Sequence, residues 1–284
     1  MAKHVLVTGA STGLGRDAVR FLAARGYRVF GSVRKERDAE ALRLEVGERF
    51  TPLLFDVTDA EAVKAAVLRV EQELDGAGLD GLVNNAGIAI GGPLMYQPMD
   101  EIRAVFEVNV FGLLGVTKAF LPLLGATQPR RSSPGRIVNI SSVGGRISAP
   151  FLGTYSATKH AVEALSDAFR RELMLFGIDV VVIEPGSVRT AIWDKAEVAD
   201  DAAYAGTVYE GPGRRVREWI VQRGRAGRSP EDVSRAILRA LESPNPPSRI
   251  PLPDDFIGMW LLPRLLPDRV VDRLMGARMG LSPR

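Results

Sequence analysis

Tyr155 and Lys159 stand four residues apart in Thr154-Tyr155-Ser156-Ala157-Thr158-Lys159, and together the two side chains could move a proton. On a helix, positions i and i+4 share a face, so the phenol and the ammonium can point into one site. An isolated tyrosine ionises near pH ~10, too high for proton exchange at neutrality. A fixed cation within a few ångströms favours the phenolate, so the spacing predicts that Lys159 lowers the Tyr155 pKa into the range of a useful acid and base. The same spacing also occurs on ordinary solvated helix faces, so its meaning depends on what accompanies it.

A phosphate-binding signature opens the chain. Lys3-His4-Val5-Leu6-Val7-Thr8 reads as a short buried strand, followed directly by Gly9-Ala10-Ser11-Thr12-Gly13-Leu14-Gly15. Arg16 to Gly26 then carries Ala18, Val19, Leu22 and Ala23 at helical spacing. Glycines let a backbone approach a pyrophosphate, and the free N–H groups and dipole of the helix favour its charge. The spacing is Gly-x-x-x-Gly-x-Gly, which differs from the usual Gly-x-Gly-x-x-Gly dinucleotide fingerprint.

With both motifs present, nearly the whole chain resembles the short-chain dehydrogenase/reductase family. Thr8 to Gly15 resembles its glycine turn, and Tyr155 with Lys159 its catalytic pair. Asp56-Val57 resembles the family's adenine contact, and Asn84-Asn85-Ala86-Gly87 the turn supporting the sheet and adenosine side. Asn109 resembles the helix asparagine that holds a relay water, although a helix residue satisfying a backbone kink reads the same way. Ser142 precedes Tyr155 by the family's interval; adjacent Ser141 has the same chemistry, but the interval and Val143-Gly144-Gly145 favour Ser142. Pro185-Gly186-Ser187-Val188-Arg189-Thr190 resembles the turn beside the nicotinamide. The resemblance implies hydride transfer at a carbonyl or carbinol carbon, with proton transfer through Tyr155. By the same resemblance Ser142 is expected to hold the substrate oxygen, Lys159 the ribose, and Asn109 to link the lysine to solvent. It also implies cofactor contacts from Gly9, Ser11, Thr12, Gly13, Leu14, Gly15, Asp56, Val57, Asn84, Ala86, Gly87, Tyr155, Lys159, Pro185, Gly186, Val188 and Thr190.

Cofactor choice turns on the end of the second strand, Ser32-Val33-Arg34-Lys35, which lacks the carboxylate that usually takes both ribose hydroxyls of NAD. Arg34 can pair with a 2′-phosphate through its planar fork, with Lys35 adding charge, so NADP(H) is preferred and NAD(H) is the alternative. Two solvated loop bases would look the same. The glycine turn carries Thr12 where many NADP-dependent relatives carry a second base.

Composition narrows the classes. The 284 residues, 46% apolar, suit a single α/β domain. A net charge of +3, from 37 basic and 34 acidic side chains, gives no argument for nucleic acid. The chain has no cysteine, which excludes disulfides, thiol nucleophiles and thiolate metal sites. With two histidines, His4 and His160, it offers no histidine-rich metal site, so the metal expectation is none. The first strand begins almost at once, leaving no room for a signal peptide, and no apolar stretch approaches ~20 residues, so a cytoplasmic location is expected.

The elements that must position these residues alternate. Strands are expected at Tyr27–Val33, Phe50–Phe55, Asp80–Val83, Arg136–Ile140, Ile178–Ile183 and Arg249–Leu252. Helices are expected at Glu36–Gly47, from the Asp59 cap to Leu74, at Met99–Leu124 and at Tyr155–Phe176, with a polar connection from Gln128 to Pro134. Alternation implies right-handed crossovers and a doubly wound parallel sheet with its ligand beyond the strands' carboxyl ends. The expected division is a catalytic domain over 1–252, including a substrate lid over 191–228, and a tail over 253–284.

The lid carries Ile192, Trp193, Tyr204, Val208, Tyr209, Trp219 and Ile220, which suit a bulky hydrophobic ligand or simply pack the lid down. Phe151 and Leu152 are placed on the near wall. Family analogy points to the branch acting on hydroxysteroids, retinoids and related lipophilic alcohols. A reductase of 3-oxoacyl thioesters is the alternative enzyme, and a non-catalytic NADP(H) sensor the alternative class. The tail, Phe256-Ile257-Gly258-Met259-Trp260-Leu261-Leu262 and then leucines and valines among arginines, could cover an interface, close the cleft or rest on a membrane. Lid or interface cover is preferred. The resemblance implies a homodimer or homotetramer paired through Met99–Leu124 and Tyr155–Phe176, where Phe106, Phe111, Leu113, Leu114, Phe120, Leu165, Phe169 and Leu173 supply apolar surface.

Overall fold

The computed structural model describes residues 3–127, 133–191, 193–194 and 202–281. Seven strands form one sheet: β1 (His4–Val7), β2 (Arg28–Val33), β3 (Phe50–Leu54), β4 (Gly81–Asn84), β5 (Arg136–Ile140), β6 (Val180–Pro185) and β7 (Arg249–Leu252). Their order is β3-β2-β1-β4-β5-β6-β7, and every pairing is parallel. This is the doubly wound sheet expected. The helices are α1 (Gly13–Ala23), α2 (Glu36–Val46), α3 (Ala60–Leu74), α4 (Met99–Phe106), α5 (Leu113–Leu124), α6 (Gly153–Glu172), α7 (Glu210–Ala226), α8 (Pro230–Glu242), α9 (Leu262–Leu265) and α10 (Asp268–Met279).

Both faces of the sheet are covered, which is why its strands read as near-continuous Val/Ile/Leu runs. Strand alternation then sorts each run into two layers. Val5, Val7, Val29 and Ile183 face Val19, Leu22, Leu42 and Ile237 of α1, α2 and α8. Leu6, Phe30, Leu82 and Ile137 face Val63, Val70, Val116 and Phe120 of α3 and α5, with Phe169 and Leu173 alongside.

Asp59 caps α3 as expected, accepting from the N–H groups of Glu61 and Ala62. α1 begins at Gly13, not Arg16, so the glycine turn and the helix N-terminus are one feature. The long helix expected over Met99–Leu124 is α4 and α5 joined by a π-helical turn, Glu107–Gly112. That composite is 26 residues long and apolar enough to cross a membrane by length and composition, which corrects the expectation that no apolar stretch came near that size. Its apolarity covers the sheet: Val105, Val110, Leu113, Val116, Phe120 and Leu124 are buried. Of the residues expected to pair subunits, Leu113, Phe120 and Leu173 are spent in the core, while Phe111 stays 53% exposed. The connection at 128–132 and Ile192 lie outside the described residues.

Candidate active site

β1 feeds straight into a cradle. Gly9 has a φ of +69°, and a Cβ there would sit 2.9 Å from Ala86 Cα. A Cβ on Gly15 would sit 2.2 Å from the Gly9 carbonyl oxygen, so α1 approaches the turn more closely than any side chain allows. Thr12 is the cap residue of α1, yet its side chain satisfies none of the helix's first N–H groups, and the first turn holds no acid. Unspent donors at a close-approach glycine turn fit a pyrophosphate. Ser11, Gly13 and Leu14 lie on this loop and the first helical residues.

Two residues that the motifs contained, but for which no role was read, hold the cradle. The Thr8 hydroxyl accepts from the N–H groups of Asn85 (2.9 Å) and Ala86 (3.0 Å), while Asn85 Nδ2 donates to the carbonyls of Thr8 (2.9 Å) and Gly9 (3.2 Å). Ser32 accepts from the Gly9 N–H at 2.9 Å. Asn84 turns the other way. Its Nδ2 donates to Thr117 Oγ1 (2.9 Å) and Asn139 Oδ1 (2.8 Å), and Asn139 in turn donates to Ser166 at 2.8 Å. The Asn84 side chain therefore ties β4 to β5 and α5 inside the core, turned away from the cofactor contact expected of it. Val57 likewise packs its side chain into the core under the π turn, where a Cβ on Gly112 would meet it at 2.7 Å.

Ser142, Tyr155 and Lys159 converge past the ends of β5 and β6. The Ser142 hydroxyl accepts from Gly144 N–H at 3.0 Å, lies 3.4 Å from the Pro185 carbonyl, and hydrogen-bonds with Tyr155. Lys159 is buried, donates to the Ile140 carbonyl at 2.8 Å, and sits 5.7 Å from the Tyr155 ring centre. Ser141 is buried behind this group with its hydroxyl unpartnered. Asn109 is buried on the π turn; Oδ1 accepts from Ile88 N–H (2.8 Å), and Nδ2 donates to the Ile88 carbonyl (2.8 Å) and to Thr158 (3.0 Å). Gly87 joins the two ends of the site, since a Cβ there would lie 3.2 Å from Asn109 Oδ1 and 3.7 Å from Lys159 Nζ.

The electrostatics depart from the simple expectation. Burial raises the Tyr155 phenol above its ordinary value, with the Ser142 hydrogen bond pulling it down. Burial also pulls Lys159 down to about 8, against the nearby Glu163 carboxylate, which raises it. The lysine does not lower the phenol here because desolvation acts on both groups and penalises each charged form.

Arg34 is 70% exposed at the end of β2, with its guanidinium 3.6 Å from Asp56. Burial raises the Asp56 carboxyl, but the Thr58 N–H and hydroxyl and the Arg34 charge together hold it below its ordinary value. Arg34 and Asp56 are 22 apart in sequence, and only the β2–β3 pairing brings them together. Pro185 ends β6, Val188 is buried, the Trp193 indole N–H donates to the Val188 carbonyl at 2.6 Å, and a Cβ on Gly13 would lie 3.7 Å from the Thr190 side chain. Phe151, held at a φ of +64° just before α6, packs against Tyr204 and Tyr209 of the lid region, and Tyr209 also meets Tyr96.

A doubly wound parallel sheet with a glycine cradle after its first strand and a Ser–Tyr–Lys group at its carboxyl edge defines an NAD(P)-dependent oxidoreductase acting on alcohols and carbonyls. Comparison with known proteins agrees. The model described as short chain dehydrogenase matches residues 3–201, and the chain belongs to that family. It is 37% identical to an NADPH-dependent 3-dehydrocapnine reductase of Ornithobacterium rhinotracheale over 272 residues, 96% of this chain and 95% of that one. It is 35% identical to human retinol dehydrogenase 5, covering 95% of this chain and 87% of that protein. The chain covers about three fifths of the length of several further retinol dehydrogenases. Among solved structures, a short-chain dehydrogenase from Streptomyces avermitilis superimposes with a TM-score of 0.77 at 33% identity, covering 99% of this chain and 97% of that one.

Proposed function

We propose that the protein interconverts a lipophilic secondary alcohol or aldehyde-forming alcohol and its carbonyl with NADP(H), using Asn109, Ser142, Tyr155 and Lys159. The convergence of Ser142, Tyr155 and Lys159 beside the glycine cradle carries this reading. When bound, the nicotinamide supplies or accepts the hydride at the carbinol carbon. Tyr155, kept protonated by burial, donates a proton to the carbonyl oxygen in the reducing direction. Ser142 is oriented by Gly144 and hydrogen-bonds the same oxygen, stabilising its developing charge. Lys159 places its charge beneath the ring of Tyr155 and holds the ribose, and Asn109 fixes the Ile88 backbone beside it.

Preference for NADP(H) rests on Arg34 and on the absence of an acid from Ser32 to Lys35. The name of the 3-dehydrocapnine reductase supports it. The aromatic wall of Phe151, Tyr204 and Tyr209 and the names of the retinol dehydrogenases support a lipophilic substrate. We take the active form to be a cytoplasmic homodimer or homotetramer, with exposed Phe111, Met174 and Leu175 as its apolar contacts. Turnover should be followed by cofactor absorbance with NADPH and with NADH over a panel of retinal, a ketosteroid and a 3-oxoacyl thioester. Arg34→Ala should weaken NADPH binding by ~1.5–3 kcal/mol, the range for a hydrogen bond to a charged group, and leave NADH binding unchanged. Equal losses for both cofactors would remove Arg34 from the 2′-phosphate.

A further inference from the structure

The turn from Pro185 to Thr190 begins on the last residue of β6, and the bonds to its Gly186 and Ser187 come from β7, the residues just after it and the end of the lid. Gly186 N–H donates to the Leu252 carbonyl at 3.0 Å, and Ser187 N–H donates to Asp254 Oδ1 at 3.0 Å. The other Asp254 oxygen is 3.1 Å from Arg223 of lid helix α7. The Ser187 carbonyl accepts from Arg228 N–H at 2.9 Å, just beyond α7, and the Arg228 guanidinium donates to the Pro253 carbonyl at 2.8 and 3.1 Å.

A second tie reaches the residue before the turn. Glu184 is fully buried at the end of β6, and its Oε2 accepts from the indole N–H of Trp260 at 2.8 Å. Its Oε1 has no hydrogen-bond partner, although two guanidinium nitrogens lie close: Arg146 at 3.6 Å and Arg249 of β7 at 3.5 Å. From α6, Glu163 faces the same cations, 2.9 Å from Arg249 and 3.8 Å from Arg146, and Asp167 also takes Arg249 at 2.9 Å. Arg264 lies over the Trp260 ring at 4.2 Å. A buried carboxylate with one donor from the tail is an expensive arrangement unless that donor is docked.

We propose that the segment from Pro253 to Arg264 is a latch on the nicotinamide turn, in which Asp254 and Trp260 are positioning residues that couple tail docking and lid placement to the turn's geometry. This rests on the reading that Pro185–Thr190 faces the nicotinamide. Asp254 sets the turn from outside and passes the position of α7 to it through Arg223. Trp260 sets it from below, through the Glu184 carboxylate. That carboxylate shares Arg146 and Arg249 with Glu163, the acid next to Lys159 in charge, so a loosened latch also disturbs the proton-handling group. Burial raises the Glu184 pKa while the Trp260 N–H, Arg146 and Arg249 lower it and Glu163 raises it, so removing the indole donor moves it further up.

The test uses the full chain with Trp260→Phe, which keeps the stacked ring and removes the N–H, and Asp254→Ala. Hydrogen exchange of the peptide covering 184–190, measured without cofactor, should speed up on the order of 10-fold in each variant, the equivalent of one hydrogen bond. With NADPH and the best carbonyl of the panel, kcat should fall more than KM for NADPH changes, and the acid limb of kcat should move to higher pH in Trp260→Phe. In a Glu184→Gln background, where position 184 no longer titrates, Trp260→Phe should no longer move that limb. Unchanged exchange across 184–190 in both folded variants would overturn the latch. So would an unmoved acid limb with unchanged kcat. Faster exchange in a protein that turns over no carbonyl would support the latch and count against the proposed function instead.

Discussion

The proton chemistry of the site depends on how burial treats two side chains. Lys159, ordinarily charged to pH ~10.4, is pulled down to about 8 by burial. Its positive form is therefore lost as pH rises through about 8, and kcat/KM for NADPH, which reports the free enzyme, should fall there up to tenfold per unit. The sign for stability is opposite. The unfolded chain holds that proton to higher pH than the folded one, so folding should become more favourable as pH climbs from about 8 toward ~10. A kcat/KM profile flat to pH ~10 would show that Lys159 stays charged in the free protein, despite its burial. The pairing of Tyr155 with Lys159 was legible in four-residue spacing alone. The direction of their shifts was not, because spacing on one helix says nothing of the burial contributed by β5 and the turn from Ser142 to Gly145.

Local signals carried the elements well. β5, β7 and the Asp59 cap stand where hydrophobic runs and capping chemistry place them. A backbone kink at Asn109 was one of the two readings of that residue, but its side-chain bonds to Ile88, 21 residues away in sequence, were not legible. The same holds for the polar seam of Asn84, Thr117, Asn139 and Ser166, which spans two strands and two helices and shows no periodicity. Asn139→Ala would strip the Asn84 amide of one partner and Ser166 of another inside the core. The expected cost is about 1–3 kcal/mol, read as a lower urea midpoint at unchanged slope. An unchanged midpoint would mean that the seam is not contributing. The Arg34–Asp56 contact was hidden for a related reason: the two residues meet only because β3 pairs alongside β2.

At the scale of the whole molecule, the reversal of strand order about β1 is what makes one site from distant segments. β1 pairs with both β2 and β4, so the cradle at Gly9, the Arg34 end of β2 and the Asn85–Gly87 turn open at the same edge. α6 then carries Tyr155 and Lys159 across that edge, and Met279, from beyond β7, shares a small apolar cluster with Val216 of α7 and Phe151. Assembly is expected to be at least dimeric, so light scattering should give twice the 30.8 kDa chain mass or more; Phe111→Glu should shift it toward monomer without loss of NADPH binding. A wild-type monomer at micromolar concentration would contradict this. If Tyr155 transfers the proton, its hydroxyl is needed for turnover far more than for NADPH binding. Single-turnover oxidation of bound NADPH by the preferred carbonyl, compared between wild type and Tyr155→Phe, tests it most directly. NADPH affinity should change little while the rate falls by ~10²–10⁴, the usual share of general acid catalysis. A Tyr155→Phe rate within a few-fold of wild type would contradict it.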